Sequence, residues 1–243
     1  METTAAQEIM QIAGVELVPV QTAREMGRRK PADMEKVRTV IPQTAFANAG
    51  QVCISTQRVI APAPIYDELI DVLVPAVAEF ATGDPLDPTT KVGPMIREAD
   101  AVRVGEWIDE AVAGGAELLA GGDRSGQLFE PTLLGNVSPD MRVSCDELFG
   151  PAMGVTRVQS ADEAIQLAND SIYGLSAAIF TQDIDVALRF AREVDSGNVH
   201  INWGSQWRTD LMPYGGLKDS GMGKEGPRYA VEEMTEHKMV VIH

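Results

Sequence analysis

Apolar residues along this 243-residue chain switch repeatedly between the 3.6-residue period of a helix and the short runs of a covered strand, which is the pattern of an α/β domain. Tyr66, Leu69, Ile70, Leu73, Val77 and Phe80 share one helical face, with Pro75 as a kink or a break. Val102, Trp107, Ile108, Ala111 and Val112 share another, which Gly114-Gly115 ends. Ser160-Ala-Asp-Glu163 is a capping box that opens a third helix through Ile165 and Leu167. A fourth runs from about Ile184 through Leu188, Phe190 and Val194 to a stop at Gly197, and a further helix begins near Ala32-Asp33-Met34. Extended pieces lie at Thr56 to Ala61, Met153 to Val158, Ser176 to Phe180, Asn198 to Ile201 and Lys238 to Ile242. This alternation predicts a mostly parallel sheet covered by helices, and an apolar content of 44% is enough to give it a substantial core.

Charge and cysteine usage narrow the classes of function. With 36 acidic against 20 basic residues the net charge is −16, so long-range repulsion opposes a nucleic-acid surface or an anionic membrane. No run of about 18 apolar residues is present, no charged-then-apolar leader opens the chain, and two cysteines do not make a disulfide framework. The expected setting is cytoplasmic. His200, His237 and His243 stand singly without metal-ligand spacing, so no metal site is expected.

The chemistry concentrates at Cys53. It follows Asn48, Ala49 and Gly50, a small-residue turn that lets a carbonyl approach the sulfur and lets a backbone N–H face the oxyanion. A lone cysteine is also a common buried hydrophobe. The surrounding motifs decide in favour of the nucleophile.

Phe46-Ala-Asn-Ala-Gly-Gln-Val-Cys53-Ile-Ser resembles the active-site segment of the aldehyde dehydrogenase superfamily, and four more motifs follow in the family's order. Glu147-Leu-Phe-Gly-Pro151 is similar to its E-x-F-G-P loop, and Gly197-Asn-Val-His-Ile-Asn202 to the strand before its substrate loop. Pro213-Tyr-Gly-Gly-Leu-Lys-Asp-Ser-Gly-Met-Gly-Lys-Glu225 resembles P-F-G-G-x-K-x-S-G-x-G-R-E, and Met234-Thr-Glu-His-Lys-Met-Val-Val241 resembles the closing oligomerisation strand.

The resemblance implies NAD(P)-dependent oxidation of an aldehyde to a carboxylic acid, through a thiohemiacetal and a thioester on Cys53. It implies that Glu147 bonds the nicotinamide ribose hydroxyls and that Phe149 packs against the nicotinamide ring, with NAD or NADP as cofactor. Trp203, Trp207 and Arg208 occupy the substrate loop; an arginine there suits an aldehyde carrying a phosphate, phosphonate or carboxylate, although an ion pair with Asp210 is the simpler reading. The family's general base falls on Glu25 in Glu25-Met-Gly-Arg-Arg-Lys-Pro31, with Glu16 as the weaker alternative. Arg28 replaces a family glycine there, and the Glu25 to Cys53 spacing is shorter than the family's.

The same resemblance divides the chain into a remnant of a nucleotide-binding domain at 1–24, a catalytic domain at 25–229 and an oligomerisation segment at 230–243. The expected partners are a small aldehyde and further copies of the chain. No Gly-x-Gly-x-x-Gly turn precedes the catalytic part, so two rivals stand beside the dehydrogenase: a non-oxidising oligomeric scaffold, and a cysteine esterase that needs only nucleophile and water.

Overall fold

The computed structural model describes residues 32–243, together with the backbone of residues 14–17. In chain order the elements are β1 (Gly14–Leu17), α1 (Met34–Phe46), a 3₁₀ turn (Ala47–Gly50), β2 (Thr56–Pro62), α2 (Ala63–Ala78), α3 (Glu98–Ala113), β3 (Glu117–Ala120), β4 (Arg124–Ser125), β5 (Leu128–Phe129) and β6 (Thr132–Gly135). They continue with α4 (Arg142–Cys145), β7 (Ala152–Val158), α5 (Ala161–Asn169), β8 (Tyr173–Gly174), β9 (Ser176–Ile179), α6 (Ile184–Glu193), β10 (Asn198–Ile201), β11 (Leu217–Lys218) and α7 (Pro227–Met234).

Local chemistry sets the helix starts. The Asp33 side chain accepts from Lys36 N–H at 3.2 Å to open α1, and Asp183 accepts from Asp185 and Val186 N–H to open α6. At α5 the Ser160 hydroxyl accepts from Glu163 N–H at 3.1 Å, while the Glu163 carboxylate reaches back to Gln159 N–H at 2.6 Å, one residue before the usual capping-box partner. Pro75 does not break α2. It removes one N–H, but Leu69, Leu73, Ala76 and Val77 are buried around it, and the helix continues to Ala78.

The main sheet has the order β10-β9-β1-β2-β7-β6-β3 and is parallel except at β3, which runs antiparallel to β6. Val59 lies opposite Val155, and β1 sits centrally, pairing Leu17 with Ile60 on one side and Ile179 on the other. Successive residues of β2 serve opposite cores. Val59 packs with Ile41, Leu69, Leu73, Val104 and Leu133 under α1, α2 and α3, whereas Ile60 packs with Ile165, Ile179 and Phe190 under α5 and α6. All seven β2 residues are buried, as a strand covered on both faces requires, and each fully buried aliphatic contributes about 1.5–3 kcal/mol.

Two expectations fall at the chain ends. Gly14–Leu17, inside the expected remnant at 1–24, is a member of the main sheet; the rest of residues 1–24 and Glu25 lie outside the described residues. Residues 235–243 pair with no strand among the described residues, and Met239, Val240, Val241 and Ile242 are exposed. The closing strand expected at Lys238 to Ile242 is not formed, and among the described residues it has no partner. No described helix is long and apolar enough to cross a membrane.

Candidate active site

The site is built on the turn that follows α1. Asn48, Ala49 and Gly50 adopt φ values of 52°, 55° and 67°, three left-handed residues in succession, of which only the glycine is there without cost. Gln51 secures them: its N–H and its side-chain amide both donate to Asn48 O at 3.1 Å, and its Oε1 accepts from Ile96 N–H at 2.9 Å. Gly50 is required twice over, because a Cβ there would lie 2.0 Å from the carbonyl oxygen of Gly150. On the other side of Cys53, the Ser55 hydroxyl reaches Thr44 O and Ala45 O at 3.1 and 2.9 Å, tying the start of β2 to the last turn of α1. Backbone on both sides thus fixes the cysteine.

Cys53 itself is half-buried, beside Val52, Ile54, Leu175 and Tyr214. Its Sγ lies 3.2 Å from the Tyr214 hydroxyl. Burial first, and then the sulfur, push the phenol well above the usual tyrosine range, so Tyr214 stays protonated. The tyrosine is clamped by a two-way backbone bridge, with Tyr214 N–H donating to Glu225 O at 3.2 Å and Glu225 N–H donating to Tyr214 O at 2.6 Å.

The expected cofactor residues pack against the same turn. Glu147 and Phe149 line a small cleft with Gly50, Val52, Ser55 and Gln57. The buried Gln57 side chain staples their loop, donating to Val143 O and Asp146 O at 2.9 and 2.7 Å and accepting from Leu148 N–H at 2.9 Å. Arg103 donates to Leu148 O at 2.8 Å. Glu147 is half-buried, and Phe149, at φ 48°, holds its ring 37% exposed. A half-buried carboxylate beside an accessible aromatic face fits the ribose hydroxyls and flat ring of a nicotinamide nucleoside.

In the substrate loop Arg208 is not paired with Asp210. Its Nη1 meets Glu225 Oε2 at 3.1 Å, and its guanidinium lies 4.2 Å over the Tyr214 ring. Arg208 and Cys53 are therefore joined through one tyrosine. The two tryptophans point to different neighbours. Trp203 lies 5.7 Å from Lys36 Nζ of α1, and Trp207 meets the His200 ring edge-on at 6.4 Å; both rings are about half exposed. Burial pushes the His200 imidazole below its usual value. Ser205, fully buried, anchors the loop by donating to Ile54 O at 2.8 Å and accepting from the Ser176 hydroxyl at 2.7 Å. Among the described residues no three His, Cys, Asp or Glu side chains gather as metal ligands.

The structure thus joins Cys53 to Arg208, sets Glu147 and Phe149 at the foot of the cysteine turn, and leaves Glu25 and the Glu16 side chain outside the described residues. Tyr214, Gln57 and Ser205 were not singled out from the sequence. For Tyr214 a signal existed, since it stands where the family motif P-F-G-G has phenylalanine.

Comparison with known proteins finds relatives in both sequence and fold. Residues 3–240 match the family described as "Aldehyde dehydrogenase family". A 3-sulfolactaldehyde dehydrogenase of Priestia megaterium is 47% identical over 214 residues, which is 88% of this chain and 45% of that protein. Among solved structures, an aldehyde dehydrogenase from Physcomitrella patens in complex with the reaction product succinate superposes with a TM-score of 0.84 at 33% identity, covering 94% of this chain and 46% of that one. A glyceraldehyde-3-phosphate dehydrogenase from Methanocaldococcus jannaschii complexed with NADP gives 0.83 at 38% identity, covering 92% and 46%. The chain spans about half the length of the curated relatives it matches.

Proposed function

We infer, from the premise that the chain belongs to the aldehyde dehydrogenase family, that it is the cysteine-bearing part of an NAD(P)-dependent enzyme that oxidises a small anionic aldehyde to its acid. The observation that carries this reading is the half-buried Cys53 sulfur on a backbone-fixed turn, with the Glu147 and Phe149 cleft packed on the same turn.

The Cys53 thiolate adds to the carbonyl carbon, forming an S–C bond and placing the negative charge on the former carbonyl oxygen, where the Cys53 N–H can donate to it. Glu147 would accept from the two ribose hydroxyls of the dinucleotide, and Phe149 would support its nicotinamide ring; the cofactor, when bound, would supply the hydride acceptor for oxidising the thiohemiacetal to the thioester. Water then cleaves the thioester, and Glu25 is the proposed base for that step.

Arg208 is the proposed anchor for the distal anion of the substrate. Its planar fork suits a sulfonate, phosphate or carboxylate, and the relatives act on 3-sulfolactaldehyde and glyceraldehyde-3-phosphate or hold succinate, each of which carries such a group. The exposed apolar residues Met239 to Ile242 support a second copy as partner, since such a segment can gain a partner by pairing with a sheet edge. The division at 1–24, 25–229 and 230–243 is part of this same proposal.

The test is to incubate the purified chain with NAD or NADP and a panel of 3-sulfolactaldehyde, lactaldehyde, succinic semialdehyde and propanal, following cofactor reduction. Reduction with an anionic aldehyde that vanishes in Cys53→Ala is expected. Absence of both cofactor binding and reduction sinks the dehydrogenase reading for this chain.

A further inference from the structure

We propose that the Tyr214 hydroxyl is a catalytic hydrogen-bond donor to the Cys53 sulfur, one that favours the thiolate at the expense of some of its nucleophilicity. The inference rests on the reading of Cys53 as the nucleophile, but not on oxidation. Its basis is a contact of 3.2 Å between Sγ and Oη, made inside an apolar cluster with Ile54 and Leu175.

The direction of that bond follows from the chemistry of the two groups. A phenol O–H is a far better donor than S–H, and a thiolate can only accept, so once the sulfur is ionised Tyr214 must be the donor. Position is not left to a flexible side chain, because the double backbone bridge between Tyr214 and Glu225 holds the ring, and the Arg208 guanidinium covers one face of it. Among the described residues the charged groups acting on this phenol are Arg208, which opposes its protonation, and Glu225 together with Cys53, which favour it. Glu225 also neutralises Arg208 at 3.1 Å, so the proton stays on oxygen. A phenylalanine, the family's residue at this position, would fill the same space and offer no donor.

A donor on sulfur has two opposed consequences. It enlarges the thiolate fraction at a given pH, and it lowers the reactivity of each thiolate, with a Brønsted coefficient of about 0.4–0.5. Removing a bond that shifts ionisation about tenfold should therefore slow attack about threefold below the midpoint, and speed it about threefold on the high-pH plateau. Loss of packing would not produce that crossing.

The experiment measures iodoacetamide alkylation of Cys53 against pH in the purified 243-residue chain and in Tyr214→Phe, with peptide mass spectrometry resolving Cys53 from the exposed Cys145. The expected result is a pair of crossing Cys53 curves, with Tyr214→Phe alkylated more slowly at low pH and faster on the high-pH plateau, and an unchanged Cys145 profile. Superimposable Cys53 profiles, a uniform slowing at every pH, or equal shifts at both cysteines each overturn the proposal and leave the nucleophile intact. A Cys53 inert at every pH in both proteins overturns the nucleophile and this inference together.

Discussion

Residues 47–55, which carry the sulfur, and residues 203–213, which lead to the tyrosine beside it, are held differently: the first segment is a left-handed backbone turn with the Gln51 and Ser55 side chains bonded around it, and the second is pinned at a few separate points. The cysteine turn carries three left-handed residues, touches Gly150 through Gly50, and is tied back to α1 by Ser55. The substrate loop is pinned at Ser205 and at the Tyr214–Glu225 bridge, while Trp203, Trp207 and Leu211 between or beside those pins stand 43%, 50% and 84% exposed. The contrast suits the two tasks proposed for these segments. A nucleophile must be placed to within a fraction of an ångström, whereas residues that choose among substrates can vary if changing them leaves the sulfur where it is.

The sharpest way to break this contrast is Gly50→Ala. The added Cβ meets the Gly150 carbonyl at 2.0 Å and also requires a left-handed alanine, so both the cysteine turn and the Glu147 loop must shift. A loss of about 4 kcal/mol or more is expected in urea unfolding, and a loss below about 1 kcal/mol would show that the backbone is not the fixture claimed here. Gln57→Ala comes next. It strips Leu148 N–H and two carbonyls of their shared partner inside the protein, for an expected cost of about 2–3 kcal/mol in the same measurement. Ser205→Ala removes one buried donor from Ile54 O and should cost about 1–2 kcal/mol. If Ser205→Ala were the more damaging of the two side-chain changes, the loop would be the tighter of the two regions.

What was legible in the sequence divides along similar lines. The helices α2, α3, α5 and α6 and the strands β2, β7, β9 and β10 follow from periodicity to within a few residues, because each carries several apolar positions on one face or a full buried run. The strand β6 was not, since Leu133 and Leu134 between Thr132 and Gly135 are too few to set a period. Pro75 misled as a possible break because packing around α2 outweighs one lost N–H. At the site, Cys53, Glu147 and Phe149 stood out because their neighbours in sequence form motifs. Tyr214 touches a sulfur 161 residues away, and Gln57 meets Leu148 across 91, so these partnerships exist only after the sheet has formed. Arg208 illustrates the limit best: the local partner Asp210 was in reach by spacing, but the fold delivers Glu225 from 17 residues further on.

That pair supplies the smallest expected change in stability and the clearest separation of loop from turn. Arg208 and Glu225 are 36% and 65% exposed as side chains, and an ion pair so placed is worth about 0–1 kcal/mol. Arg208→Gln should therefore leave the unfolding midpoint nearly where it was, while kcat/KM for 3-sulfolactaldehyde or succinic semialdehyde falls about 10–100-fold, as expected for a lost charged hydrogen bond, and that for propanal is unchanged. Glu225→Gln tests the same anchor with the opposite sign. The Glu225 carboxylate occupies the fork that an anionic substrate would need, so removing its charge should lower KM for the anionic aldehydes and leave propanal alone. If both substitutions weakened neutral and anionic substrates alike, Arg208 would be a prop for Tyr214, over whose ring it lies, and not a reader of substrate charge.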